Sequence, residues 1–392
     1  MNRNLGLLAL CQGLFLTNNV TFIAINGLVG LALAPLGWMA TLPVMGYVVG
    51  GALSTGVVAR TQSRFGRKAS FQLGLVVAFL SALLCAYAAF SKNFWLLCAA
   101  TVVAGYYNAN AGLYRFAAAE VAGATAQEKA VSLVMAGGLL GAVAGPNLAA
   151  YTRNLFEVPF AGAYIALAGV ALLGMLALSF ITFPPVPPKK AGRQGRPLRE
   201  IMRQPVFIVA AATGALSFGI MNLLMAATPI AMQMCGLPFS DAALVLEWHV
   251  IGMFAPGFFT GHLIKRFGAL PIMGVGIALY LGCIAVALSG VNLHQFLIAL
   301  FLLGMGWNFV FTGSTTLSLS AYTAEEKDRA QGALNFFVFA TLALSSFASG
   351  VLVTTRGWTL LNWGSLPVVL LTAGALLWLA VVTKRAQNQR TT

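Results

Sequence analysis

Three ionisable side chains stand in stretches otherwise too apolar to hold a charge. They are Arg115 and Glu120 in GYYNANAGLYRFAAAE (105–120) and Glu247 in LVLEWHVIGMF (244–254). A guanidinium stays charged and presents a planar fork suited to a carboxylate or phosphate. A carboxylate inside a membrane span can take a proton from one side and release it to the other. Arg115 and Glu120 look like an ion pair in sequence, but helical geometry separates them. At about 100° per residue they lie roughly 140° apart, whereas Asn108 and Arg115 fall within about 20° of one another. The same face carries Tyr107, Asn108, Tyr114 and Arg115 around the small residues Ala111, Gly112 and Ala118, a polar and aromatic stripe that predicts a cavity wall. Two readings of Arg115 stand: an anchor for an anionic or strongly polar solute group, or a side chain that snorkels to the headgroups. Glu247 likewise reads either as a proton carrier or as part of an outer gate. His249, about 200° further round the helix, is a weaker candidate for the same proton.

The elements that must position these residues follow from composition. Of 392 residues, 59% are hydrophobic and 8% charged, far below the roughly 25% charge of a soluble domain. Lipid must therefore be the solvent for much of the surface. The net charge of +14 does not point to nucleic acid, because the basic residues are scattered through short loops instead of forming one patch. The five cysteines form no CxxC pair, so neither a metal site nor a disulfide framework is expected. The first apolar stretch outruns a signal-peptide core and reads as a retained span.

Apolar runs long enough to cross a bilayer as helices occur at 5–31, 36–59, 70–90, 94–120, 130–152, 159–182, 205–233, 240–263, 269–289, 293–321, 330–353 and 361–383. The expected fold is an all-α membrane protein of twelve transmembrane helices in two pseudo-symmetric six-helix bundles, 1–183 and 204–392. A basic, Pro-rich linker at 184–203 (PPVPPKKAGRQGRPLREIMR) joins them and can also meet anionic headgroups. Lys and Arg sort strongly to one side: of 23, only Lys92, Arg153 and Arg356 fall on the other, with Arg115 inside a span. This bias puts both termini in the cytoplasm. Two echoes relate the halves. Arg64-Phe65-Gly66 returns as Arg266-Phe267-Gly268, and Thr125-Ala126 with Glu128-Lys129 returns as Thr323-Ala324 with Glu326-Lys327. Parallel repeats of this kind belong to transporters whose site lies near the midplane.

With these features the chain resembles the major facilitator superfamily along nearly its whole length. The loop ARTQSRFGRK (59–68) is similar to the family's motif after its second span: Arg64, Gly66, Arg67 and Lys68 match, while Ala59 replaces a glycine and Ser63 an aspartate. In the second copy Gly261 matches and Lys265 replaces the acid. The family's usual charged latch is thus missing an element in both copies. Glu120 is expected to supply one, since an acid at this end of span four meets that loop in related transporters. SLVMAGGLLGAVAGPNLAA (132–150) resembles the family's antiporter motif through Gly141, Gly145 and Pro146, with Ala149 and Ala150 in place of its last glycines. GMFAPGFFTGHLIKRFG (252–268) and GMGWNFVFTGSTTL (304–317) resemble a bacterial branch of the superfamily. The resemblance implies a cavity lined by spans one, four, seven and ten. The polar residues available there are Asn18, Asn19, Asn222, Trp307 and Asn308, with Asn335 on span eleven; any one of them can instead be interhelical glue.

No GxGxxG, Walker loop, HExxH or GxSxG occurs in a suitable context, so no enzyme and no ATP-driven pump is expected. The expected function is alternating-access transport of a small organic solute, as proton-coupled export or, alternatively, as symport or uniport uptake of an organic anion or aromatic solute. A membrane receptor without transport is the reading from another class. No cofactor or metal is expected. The expected partners are the solute, protons or another coupling ion, and membrane lipid, with a monomer in a bacterial inner membrane.

Overall fold

The structure is a computed structural model that describes residues 3–122, 127–184, 195–323 and 325–391. The middle of the linker and the Thr125-Ala126 echo lie outside the described residues. All regular structure within them is helical: α1 Arg3–Leu33, α2 Leu42–Phe90, α3 Phe94–Ala111, α4 Tyr114–Ala122, α5 Gln127–Thr152, α6 Ala161–Ser179, α7 Leu198–Met202, α8 Pro205–Met234, α9 Phe239–Phe254, α10 Gly257–Phe267, α11 Ala269–Ser289, α12 Leu293–Ser318 and α13 Lys327–Thr391. Helices are the solution that composition forces, because backbone in hydrocarbon must satisfy its own hydrogen bonds. Nine stretches among the described residues are long and apolar enough to cross a bilayer.

The expected boundaries shift where the chain turns without unwinding. Helix α2 runs through Arg60–Phe65, where a polar loop was expected, and departs from helical geometry only at Gly66, with φ 80°. Local bonds sustain it there, such as Ser63 Oγ donating to the Arg60 carbonyl at 2.9 Å. The second copy of the Arg-Phe-Gly echo ends at Gly268, also left-handed at φ 88°. The repeat is thus conformational as well as textual: each copy needs the one residue without a Cβ. Gly357 divides α13 in the same way. The expected fourth span is interrupted at Gly112–Leu113 and the eighth at Ala255–Pro256. Asp241 lies close to the start of the eighth span but does not cap it. It falls instead in the first turn of α9, which starts after Pro238, where its charge still favours the helix N-terminus.

Close backbone approach sets the packing. On α5, a Cβ at Gly141 would lie 2.5 Å from both the Gly13 carbonyl oxygen and the Thr17 nitrogen of α1, and one at Gly137 would lie 2.2 Å from the Ala9 carbonyl. Thr21 Oγ1 donates to the Gly145 carbonyl at 2.9 Å. The glycines of this motif therefore seat α5 on α1, and small residues serve here as they do between membrane helices generally. In α2, Gly50 lies so close to α3 that a Cβ would be 1.9 Å from the Val102 carbonyl oxygen.

Gly27 near the end of α1 meets Ala226 and Ile230 near the end of α8. Asn4 Nδ2 donates to the Thr182 carbonyl at 3.1 Å, so the start of α1 and the end of α6 share one face, called here the linker face. On that face Glu326 clasps the end of the linker. It accepts from the Arg196 backbone nitrogen at 2.7 Å, from Arg196 Nε at 2.9 Å and Nη2 at 2.8 Å, and from the Thr323 nitrogen at 3.0 Å. The Arg196 guanidinium foremost, with these backbone donors, holds the Glu326 carboxyl down to about 2.

Two expectations follow. Gly141→Val forces a side chain into the α1 backbone and should cost roughly 1–3 kcal/mol. An unchanged melting temperature of the purified protein in detergent would contradict the packing. The Glu326 carboxyl lies below its unfolded value, so its contribution is complete above about pH 4.5 and is lost as pH falls toward 2. Thermal unfolding across that window should show the loss in wild type. Glu326→Gln should start less stable at pH 7 and lack that part of the pH dependence.

Candidate functional site

The N- and C-terminal halves of the chain meet mainly at the end opposite the linker face. Among the described residues, two hydrogen bonds join them. Asn147 Nδ2 on α5 donates to Glu247 Oε2 on α9 at 2.8 Å, and Thr41 Oγ1 before α2 donates to the Ser346 carbonyl on α13 at 2.6 Å. Aromatic contacts seal the same end. Trp38 packs edge-on against Phe347 at 5.9 Å, and Phe160 against Phe239 at 4.9 Å. Arg153 lies over both of the last two rings, at 5.3 and 5.7 Å. No hydrogen bond or ion pair joins the halves at the linker face among the described residues.

A belt of rings crosses between the halves below this seal. On α12, Trp307 and Phe311 stack at 5.2 Å with planes 9° apart, and Phe218 of α8 meets them edge-on at 4.9 and 4.8 Å. Phe254, at the end of α9, lies 6.2 Å from Trp307. It also packs against the cluster of the N-terminal half that contains Phe15 and Tyr107, themselves edge-to-face at 5.6 Å. Trp307 is 7% exposed, and its indole Nε1 is buried with no hydrogen-bond partner. Asn18, between Phe15 and Phe22 on one side of α1, is 3% exposed and has no side-chain hydrogen bond among the described residues. A buried donor left unpaired is costly, and native structures seldom tolerate one without use. The belt thus offers ring faces for a flat apolar body and a free indole N–H for its polar edge.

Other expected site residues are otherwise engaged. Asn308 accepts from Thr260 Oγ1 and donates to the Met253 carbonyl, each at 2.7 Å. It thereby satisfies a carbonyl near the Ala255–Pro256 interruption. Asn222 donates to Ser345 Oγ at 2.9 Å and Ser346 Oγ at 2.8 Å, tying α8 to α13. Asn19 donates to the Tyr47 hydroxyl at 3.2 Å. Tyr107 is in the belt. Tyr114 shares a side-chain hydrogen bond with Tyr107 and packs on Phe71, with ring centroids 4.8 Å apart, after the break in the helix at Gly112–Leu113. Asn108 is half-buried, and its amide lies near Gly51 of α2. Asn335 is exposed. Arg115 is exposed too, with its guanidinium carbon 4.9 Å from the Phe116 ring and no ionic partner among the described residues.

Glu120 meets Arg67 as a two-point pair: Nε to Oε2 at 3.0 Å and Nη2 to Oε1 at 2.5 Å. Arg67 also donates to Gln62. Lys68 Nζ donates to the Ser179 carbonyl at 2.6 Å, capping α6. Arg64 lies over Phe65. All of these contacts stay within the N-terminal half. Pro146 is buried inside α5, next to the Asn147 that reaches Glu247. His249 turns away from Glu247, its Nδ1 2.7 Å from the Leu300 carbonyl.

Sequence reading missed Phe15, Phe218, Phe254 and Phe311, which look like any apolar residue of a span. It also missed Asn147. The one available signal was the polar Asn147 one position after the proline of a glycine-rich span.

Comparison with known proteins places this geometry. The sequence profile of the Major Facilitator Superfamily matches residues 5–338 and 236–392. The chain is 38% identical over 372 residues, 94% of each chain, to the riboflavin transporter RfnT of Brucella anthropi. It is 27% identical over 341 residues to the uncharacterized MFS-type transporter YdeG of Bacillus subtilis, covering 82% of this chain and 79% of that one. The fold is similar to that of the POT family transporter PepTSo, with a TM-score of 0.73 over 99% of both chains at 11% identity. The protein is therefore a multi-pass membrane transporter and not an enzyme, and it belongs to the major facilitator superfamily.

Proposed function

We propose that this transporter carries a planar aromatic solute of the flavin class, with riboflavin as the first candidate, by alternating access of two six-helix halves. The observation that carries the reading is the ring belt with the unpartnered Trp307 indole at its centre. Ring stacking suits a flat heterocycle, and a free N–H with the Asn18 amide suits its polar edge. The riboflavin transporter that is 38% identical supports the same class. The six-plus-six arrangement is supported by the breaks at Gly66 and Gly357, which divide two of the long helical stretches, and by the matched left-handed glycines of the echo. The seal at one end, with no bond between the halves at the other, is the form of a carrier open toward the linker face. The charge bias assigns that face to the cytoplasm.

Coupling is assigned to protons through Glu247. An ionised carboxylate accepts a stronger hydrogen bond than a neutral one. Protonation would therefore weaken its bond to Asn147 and loosen the seal. The nearest charged group further along α5 is Arg153, which faces rings and forms no ion pair with Glu247. Arg115, unpaired at the other end of the molecule, is assigned to the solute's polar arm. The Arg67–Glu120 pair is assigned to the linker-side gate, where it braces α4 against the turn of α2 at Gly66.

Riboflavin flux into and out of proteoliposomes, with the pH gradient set in each direction, tests solute, coupling and direction together. Stacking on an aromatic side chain contributes about 1–3 kcal/mol per ring system, so Trp307→Ala should weaken affinity roughly 5- to 150-fold. Unchanged riboflavin affinity in that variant would remove the belt from the site. Glu247→Gln should abolish the response to a pH gradient while leaving riboflavin exchange at equal pH intact. A normal gradient response would assign coupling elsewhere.

A further inference from the structure

A second cavity, of about 660 Å³, lies at the sealed end. Its walls come from both halves: the end of α1, the turn after α2, the segment after α5, and the connection from α8 to α9. This volume suits a ligand of drug or cofactor size. Three independent features set it apart from a packing defect.

The first is charge. Lys and Arg are sparse at this end of the chain, with Lys92, Arg153 and Arg356 as the three expected there, and two of the three line this one cavity. Neither has an ion pair among the described residues, although Glu157 lines the same cavity. The second is backbone conformation. Lys92 (φ 52°) and Phe160 (φ 67°) are the non-glycine residues with positive φ among the described residues, and both line the cavity. At Lys92 this conformation ends α2, with the Asn93 nitrogen on the Ala88 carbonyl at 2.9 Å and the Lys92 nitrogen on the Ala89 carbonyl at 3.1 Å. At Phe160, ahead of α6, left-handed backbone is unfavourable for a residue with a Cβ and marks a constrained loop. A bond from the Phe160 nitrogen to the Arg153 carbonyl, at 2.9 Å, closes the loop that holds the second of these. The third is the wall itself: Phe160 and Phe239 meet edge-on, and Arg153 spans both with its Nε buried and unpartnered.

We propose that this cavity is a second ligand site, distinct from the ring belt, for a planar aromatic anion. The flat body lies against the Phe160 and Phe239 walls, and the anionic group is held by Lys92 and Arg153. Because each half of the chain supplies part of the wall, such a ligand binds the sealed form and not one in which these ends have parted. It therefore shifts the population toward the sealed form. The site stands whether or not the belt carries a flavin.

Riboflavin 5′-phosphate is a suitable probe, measured in a Trp307→Ala background as well as in wild type so that flavin bound at the belt is removed. Riboflavin and inorganic phosphate are controls lacking one of the two elements. Binding is read by flavin fluorescence quenching and by the melting temperature of the full chain in detergent. The phosphorylated flavin should bind in a salt-sensitive way and raise the melting temperature. Lys92→Asn keeps a residue that tolerates the left-handed backbone and removes the charge. It and Arg153→Gln should each weaken binding roughly tenfold or more, the scale of one charge-assisted hydrogen bond. Trp307→Ala should leave this binding in place. The proposal is overturned if Lys92→Asn binds the probe like wild type, if Trp307→Ala abolishes binding, or if inorganic phosphate alone gives the same thermal shift. Loss of riboflavin flux in Trp307→Ala, by contrast, reports only on the belt.

Discussion

Everything in this molecule answers to one constraint: a peptide group in hydrocarbon has no water to bond. Uninterrupted helix is the simple solution, and each departure from it must find a local remedy. At Ala255–Pro256 the remedy is Asn308, whose amide takes the Met253 carbonyl. At Gly66 and Gly357 the chain turns within a single left-handed residue and resumes helix at once. Polar side chains are therefore recruited first to backbone and interhelical duty. Thr17, Thr21, Asn110, Asn222 and Asn308 are all occupied in that way. The Trp307 indole is among the buried groups that remain unpartnered after this demand, and it is the one that lies in the ring belt.

This ordering explains how much the sequence disclosed. Apolar run length marks spans because the bilayer sets a minimum, and the basic loops stood out by composition. The Glu120 reading relied on opposite charge at one membrane level, which is also how Arg67 finds it. The polar stripe 107–115 was read as one continuous face. A glycine within a helix costs only about 1 kcal/mol, so nothing local distinguishes the Gly112 that breaks the helix from one that does not. Asn308 and Asn222 were legible as polar but not as engaged, since their partners lie on other helices. The ring belt draws on α1, α3, α8, α9 and α12 and includes four of 27 phenylalanines. Only tertiary packing selects those four.

The two ends of the molecule are held by different physics. At the linker face the strong interactions are ionic and neither joins the two halves: Arg67 pairs with Glu120 inside the N-terminal half, and Arg196 of the linker pairs with Glu326 of the C-terminal half. They stiffen each half without tying it to the other. Ser63, where related loops carry an acid, bonds to its own helix, and Glu120 supplies the missing charge from α4. At the opposite end the links run between halves and are mostly aromatic or single hydrogen bonds. Rigid halves joined by a compliant seam are what a rocking motion needs.

The slenderness of that seam bears on energetics. A hydrogen bond contributes a net 0.5–1.5 kcal/mol or so, an aromatic pair about as much again, and two bonds with two ring pairs are all that the seam holds of either kind among the described residues. Apolar packing across the seam adds to them, as where Gly27 meets Ile230 and Val20 and Ala142 meet Val250, and inverting a hundredfold bias would take about 5.5 kcal/mol of differential affinity from a bound molecule. On the alternating-access reading, a cargo that binds the other form more tightly by that much would reverse the preference.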